Sequence, residues 1–337
     1  MANERFQNAL KGKVQNIPPV WMMRQAGRYH SHYRALREKH GFKELCMLPD
    51  VAAEVAMGPI EEFDFDLAIL FSDILFPLEA LGMPLEYSPG PKMGFHVNDE
   101  TIKSLKSSDE AIGALAFQKE AVAATRERLP DDKSLIGFVG GPWTLFSYAV
   151  QGTHAGGLLE TKKHLHLWPE FAEKINALLH MNIEQQLEAG AEAVMVLDTA
   201  AGELSPDLFR SLVQPGLEQI AKRKPNQLGY YAKSITADFF GDSWREIPWA
   251  GQGFDHRMNI RPYLGGDKFV QGNFDQLLLH QDPKSFEANL REYLKPFAEM
   301  SPEQRKGWVC GVGHGLVPKT PEENVKRFVQ VIREVFA

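Results

Sequence analysis

Pro19-Val20-Trp21-Met22-Met23-Arg24-Gln25-Ala26-Gly27-Arg28-Tyr29 is an apolar run that reads as a strand and ends abruptly in two arginines set around a glycine. Guanidinium groups fixed at a strand end can make two-pronged contacts with carboxylates or phosphates gathered over one end of a sheet. Arginines four residues apart are also common on exposed helix faces, and this stretch by itself leaves both readings open.

Working outward, buried-type strand candidates of the same kind recur at 67–71, 135–139, 193–198, 227–232, 251–255, 268–272 and Trp308–Val312, making eight with 20–23. Between them lie helical signals at Pro49–Phe63, 109–129, 168–189, 205–223, 283–297 and 320–335. Ser205-Pro206-Asp207 reads as a Ser cap before a first-turn proline, and Thr320-Pro321-Glu322-Glu323 reads as a capping box. Strands alternating with helices imply parallel pairing through right-handed crossovers. Eight units favour a closed (β/α)8 TIM barrel over an open doubly wound sheet, and no Gly-x-Gly-x-x-Gly opens the first unit. The crossovers within 229–253 are short and their helices poorly patterned. With no linker, repeat or low-complexity break, residues 1–337 read as one barrel domain, with residues 1–16 expected as a flexible lead.

Composition bounds the function. The 337 residues are 44% hydrophobic and 24% charged, ordinary for a soluble protein. A net charge of −7 argues against a general nucleic-acid or membrane-surface binder, though not against an anionic ligand held by local arginines. Cys46 and Cys310 lie far apart, so neither a disulfide framework nor a cysteine-built zinc site is indicated. The N-terminus lacks a signal-peptide core, and the apolar stretch 67–83 is broken by Ser72, Asp73, Pro77 and Glu79. A cytoplasmic protein is expected.

In a barrel, polar residues just past each strand converge on one mouth. That places together Arg24 and Arg28, Asp73, the segment Trp143 to Tyr148, Asp198 with Thr199, and His314. Asp73 could also be a helix cap, but a carboxylate ending a buried strand needs further partners. Gly313-His314-Gly315 sets an imidazole between glycines, a pattern expected to leave space for a ligand. Tyr148 could equally be core. The pairs His30/His32 and His164/His166 are spaced by two, which separates them on a helix, and are expected to be solvated. Cys310 and His314 lack further ligands nearby, which makes zinc a poor reading.

Taken together, these residues resemble the uroporphyrinogen decarboxylase family of haem biosynthesis. The resemblance is carried by Pro19 to Tyr29, by Tyr33-Arg34-Ala35-Leu36-Arg37, by Ala68-Ile69-Leu70-Phe71-Ser72-Asp73-Ile74-Leu75 and by Gly140-Gly141-Pro142-Trp143-Thr144-Leu145. Gln271-Gly272-Asn273, Gly313-His314-Gly315 and Thr320-Pro321-x-Glu323-Asn324-Val325 extend it towards the C-terminus. It implies a (β/α)8 homodimer that converts the four acetates of uroporphyrinogen, a tetrapyrrole polycarboxylate, to methyls without metal or organic cofactor. It further implies that Arg24, Gln25, Ala26, Gly27, Arg28 and Arg37 contact the substrate's carboxylates and reacting pyrrole. Asp73 would accept hydrogen bonds from the pyrrole N–H groups, and Tyr148, Thr199 and His314 would line the cleft. Asp73, Arg24, Arg28 and Tyr148 are the catalytic candidates. The sequence departs from the family at His30-Ser31-His32, where Leu-Pro-Glu is common, at Tyr231-Ala232-Lys233-Ser234, and at His256, where Trp is usual.

Two other readings compete. Related barrel methyltransferases of the corrinoid or thiol type use thiolate and imidazole ligands on late strands, and here 230–233 is Tyr-Tyr-Ala-Lys while the last strand offers only Cys310 and His314. A non-catalytic tetrapyrrole binder would keep the arginines, yet an anion binder gains nothing from Asp73 in its cleft.

Overall fold

The computed structural model describes residues 2–88 and 90–337. Among them nine strands form: β1 (Leu67–Ile69), β2 (Leu85–Tyr87), β3 (Pro91–Met93), β4 (Ser134–Gly140), β5 (Ala193–Leu197), β6 (Leu228–Tyr231), β7 (Gly251–Gly253), β8 (Phe269–Phe274) and β9 (Trp308–Val312). Seven are parallel in the order β1-β4-β5-β6-β7-β8-β9, while β2 and β3 make a separate antiparallel ribbon. Helices such as Ala116–Arg128, Trp168–Glu188, Gln214–Arg223, Pro283–Ala298 and Glu322–Phe336 run between the strands. A parallel sheet covered in this way is dry on both faces, which is why β4 and β9 are buried throughout and read as unbroken apolar runs.

The expected first strand, 20–23, contracts to a single parallel bridge between Val20 and Cys310. The physical cause lies directly downstream: Gln25 N donates to Met22 O at 3.1 Å, and Arg24 adopts a left-handed φ of 58°, so a turn ends the ladder. The short stretch nevertheless touches both edges of the sheet. Cys310 N donates to Pro19 O (2.9 Å) and Trp21 N to Cys310 O (3.1 Å), while Asp66 N donates to Val20 O (3.1 Å) on the β1 side. Buried Asp66 fastens this junction, accepting from Val20 N at 2.7 Å, Arg333 Nη2 at 2.6 Å and Arg5 Nη1 at 3.0 Å. Charge-assisted bonds from backbone and guanidinium donors let a carboxylate be buried here.

Part of the lead expected to be flexible is helical. Residues Glu4–Leu10 form a helix capped by Asn3, whose side chain accepts from Phe6 N (3.0 Å) and donates to Asp132 O (2.8 Å). Phe6 is buried against Phe269, their ring centroids 6.1 Å apart, and this apolar contact orders the segment. Position 251 explains part of the weak pattern within 229–253: a Cβ at Gly251 would sit 2.2 Å from Phe269 Cγ, so the Phe269 ring occupies the space a side chain on β7 would need.

The Ser205 cap forms, with Leu208 N donating to Ser205 Oγ (3.3 Å). The expected capping box at Thr320 does not. The cap position is Pro321; Thr320 Oγ1 instead donates to Val317 O and faces His280 Nε2, and Glu322 is engaged by Ser31. Among the described residues no helix is long and apolar enough to cross a membrane.

Candidate functional site

A cavity of about 140 Å³ opens where the C-terminal ends of β1, β4 and β5 meet the turn after Val20 and the loop after β9. Arg24, Ala26, Asp73, Thr199 and His314 all line it, so residues separated by up to 290 positions in sequence (314 − 24) converge as the barrel reading anticipates.

The Arg24 guanidinium is exposed and, like that of Arg28, makes no hydrogen bond or ion pair with any described residue; the Arg28 carbonyl accepts from Arg34 Nη1 at 3.3 Å. Its turn is tied to the opposite loop by Leu316 N donating to Met23 O at 3.0 Å. Gly315 packs on the Arg24 stem: a Cβ there would lie 2.4 Å from Arg24 Cδ. One at Gly313 would lie 2.4 Å from His256 N. The glycines make room for the His256 backbone and the Arg24 stem, and the open space beside the His314 imidazole is the cavity itself.

Asp73 is half-buried at the cavity wall. Its Oδ1 accepts from Leu75 N at 2.9 Å, closing a tight local turn, so the cap-like bond and the cleft position coexist. Burial raises its pKa, while the Leu75 amide, the neighbouring Tyr87 phenol and the Arg24 charge lower it. Tyr87 Oη is buried without a hydrogen-bond partner among the described residues, and burial followed by the Asp73 charge pushes its pKa up. Tyr148, on the helix Pro142–Gln151, is buried with Oη 2.7 Å from His154 Nδ1. Its pKa is pushed up to about 12 by burial and by Asp73, with Arg24 opposing. His154 is held down first by burial, then by Arg24 and Lys233.

His314 is pushed down to about 3 by burial, then by Arg24, Lys233 and His154. It is therefore neutral at ordinary pH. Tyr231 Oη donates to Gly313 O (2.8 Å) and lies 2.9 Å from His314 Nδ1. With the phenol proton committed, the network assigns the imidazole proton to Nδ1 and leaves Nε2 a free lone pair.

Other candidates sit apart from the cavity. Gln25 is buried with Nε2 donating to Leu67 O (2.9 Å), so its side chain braces β1. Gly27 O accepts from His30 N (2.9 Å). Arg37 is exposed and donates to His40 O (2.6 Å). Asp198, buried, accepts from Thr144 N (2.8 Å) and Thr144 Oγ1 (2.7 Å), capping the helix Pro142–Gln151 from outside it. Burial pushes its pKa up to about 6.

His30 is not solvated as expected, and His32 is half-buried. His30 is fully buried with Nε2 2.6 Å from Glu62 Oε2, and the His32 ring occupies the place of a Cβ at Gly58. His30 is the extended residue before the helix Ser31–Lys39, so the helical spacing argument did not apply to it. His154, Tyr231, Tyr87 and Lys233 were missed. Tyr148 and His154 meet only because the chain turns at Gly152, and no periodic spacing announces that.

A curled parallel α/β sheet with the unpaired Arg24 and the carboxylate of Asp73 sharing one C-terminal cleft places the chain among the α/β enzymes. The family model described as uroporphyrinogen decarboxylase (URO-D) matches residues 1–335. The chain belongs to that family. It is 34% identical to a uroporphyrinogen decarboxylase of Solibacter usitatus over 349 aligned positions, covering 98% of this chain and 97% of the relative. A uroporphyrinogen decarboxylase of Helicobacter acinonychis is 37% identical over 352 positions, covering 97% and 98%. Among solved structures, a methyltransferase from Methanosarcina mazei superposes with a TM-score of 0.77 at 20% identity, covering 99% and 98%, a likeness of fold.

Proposed function

We propose that this chain decarboxylates the four acetate side chains of uroporphyrinogen III to methyls, yielding coproporphyrinogen III for tetrapyrrole synthesis. The observation that carries the reading is the joint placement of Arg24 and Asp73 on one cavity wall. Loss of CO2 from an acetate leaves an electron pair that needs a sink, and a pyrrole protonated at the ring carbon beside the side chain supplies it. No cofactor is then required. The protein has to stabilise the cationic ring and hold the other carboxylates in register.

Asp73 is suited to the first task, because its anion favours the protonated pyrrole over the neutral ring. Arg24, Arg28 and Arg37 suit the second, each charge-assisted contact contributing about 1.5–3 kcal/mol. With a pKa above ~12, a guanidinium is a poor acid and serves as an anchor, not as the proton donor. His314 offers a neutral acceptor on the same cavity wall as Thr199, and Tyr148 would meet the substrate beyond that wall. Cys310 is buried with its thiol pushed up by burial, the reverse of what a thiolate ligand in a methyltransferase needs.

Val20, bonded to both sheet edges, acts in this reading as the eighth stave of a closed (β/α)8 barrel. A cytoplasmic homodimer is the assembly we propose. Anaerobic incubation with uroporphyrinogen III, followed by chromatography of the oxidised porphyrins, is the test. Porphyrins with seven, six, five and finally four carboxyls are expected; unchanged substrate overturns the reading.

A further inference from the structure

We infer that His30, Glu62 and Glu322 form a zinc-type cation site outside the cleft, at the junction of the arginine turn with the helices Pro49–Phe63 and Glu322–Phe336. One ligand atom from each lies within 4.8 Å of the other two. His30 is fully buried with Nε2 2.6 Å from Glu62 Oε2. Glu322 is already oriented by Ser31 N (2.7 Å) and Ser31 Oγ (3.0 Å).

Charge gives a second, independent pointer to a cation. Glu62 sits in the last turn of its helix, where the negative pole of the helix dipole disfavours a carboxylate. Glu322 brings a second negative group to the same point, and Arg34 Nη2 reaches it only at 3.4 Å. Arg34 offsets the charge on Glu322, which leaves Glu62 at the helix C-terminus facing only the imidazole.

One imidazole and two carboxylates with a water in the fourth position is a ligand set zinc accepts. Tetrahedral bonds of about 2.0–2.1 Å would place ligand atoms about 3.3 Å apart. Glu62, at 2.6 Å from His30, would retreat by less than ~1 Å and Glu322 would close by at most ~1.5 Å. Neither shift needs more than a side-chain rotation. The site takes no part in decarboxylation; it pins the turn two residues beyond Arg28 to two helices.

The test uses untagged, metal-stripped full chain, titrated with Zn2+ by calorimetry and thermal melting, with Mg2+ and Ca2+ as controls. One Zn2+ per chain is expected, and at 100-fold excess over Kd a Tm rise of about 4 °C. Glu62→Gln, on an exposed carboxylate, should weaken binding at least tenfold, and His30→Leu should abolish it; should His30→Leu not fold, Glu62→Gln decides. Absence of saturable Zn2+ binding overturns the inference. So does binding that these variants leave unchanged, or melting that follows pH but not zinc, which would make the trio a buried ion pair.

Discussion

Gly315 lies so close to the stem of Arg24 that a Cβ added at position 315 would be 2.4 Å from Arg24 Cδ and 2.8 Å from Arg24 Cγ. The atoms in the way belong to a flexible side chain, so Gly315→Ala should displace the guanidinium without unfolding the loop. We expect Tm to stay within a few degrees and kcat/KM for uroporphyrinogen to fall at least ~10-fold, the loss of about one charge-assisted contact. Parent-like kinetics in the folded variant would detach Arg24 from the substrate.

Arg24 and Arg28 carry exposed guanidinium groups with no partner among the described residues, whereas Arg37 is partly committed to His40 O. Substitution by lysine keeps the charge and removes the planar two-pronged contact. Arg28→Lys should lower kcat/KM by roughly tenfold, Arg24→Lys by at least as much, and Arg37→Lys by less. If all three variants match the parent in steady-state assays, the anion cradle is not what holds the substrate.

Stability should respond to His314 with a defined sign. Its folded pKa of about 3 lies below the unfolded value near ~6.5, so the unfolded chain binds the proton first and acid destabilises the fold. The loss begins as pH falls through ~6.5 and continues toward pH 3, reaching about 2 kcal/mol by pH 5. Asp198 opposes part of it: its folded pKa, raised to about 6, makes its own contribution diminish as pH rises from ~3.8 to 6. The two separate in a comparison of His314→Gln with the parent by denaturant unfolding. The variant should gain about 2 kcal/mol relative to the parent between pH 8 and pH 5, and a pH-independent difference would show that His314 is not buried neutral.

Much of this architecture was readable because parallel strands are buried on both faces. Trp308–Val312 appears with its expected bounds, and 135–139 grows only to Ser134–Gly140. Val20 was harder: its place depends on bonds to Cys310 and Asp66, far off in sequence, and its ladder is cut by a turn that apolar periodicity does not register. Strand-end position was enough to bring Arg24, Asp73, Thr199 and His314 to one cavity, since the C-terminal edge gathers such residues whatever their spacing. Gln25 was misjudged by adjacency, because its inward side chain is decided by the turn beginning at Met22. His154 and Tyr231 reach the site through tertiary contacts with Tyr148 and His314, which leave no local signature.

Decarboxylation should turn on Asp73. Its Oδ1 is bonded to the Leu75 amide, so the side chain is held in place before any substrate arrives. The substrate's inward-pointing N–H groups are the donors a half-buried carboxylate at this wall would accept. Its anion should favour the protonated pyrrole over the neutral ring, the condition for speeding chemistry beyond binding. Asp73→Asn keeps the shape and can keep the Leu75 bond through its amide oxygen, so the variant should fold normally. It removes the charge and presents a donor against the N–H groups, and turnover should fall at least ~100-fold, the scale of losing one preorganised electrostatic group. A folded variant that forms coproporphyrinogen within a few-fold of the parent rate would reduce Asp73 to a turn-closing residue and sink the mechanism.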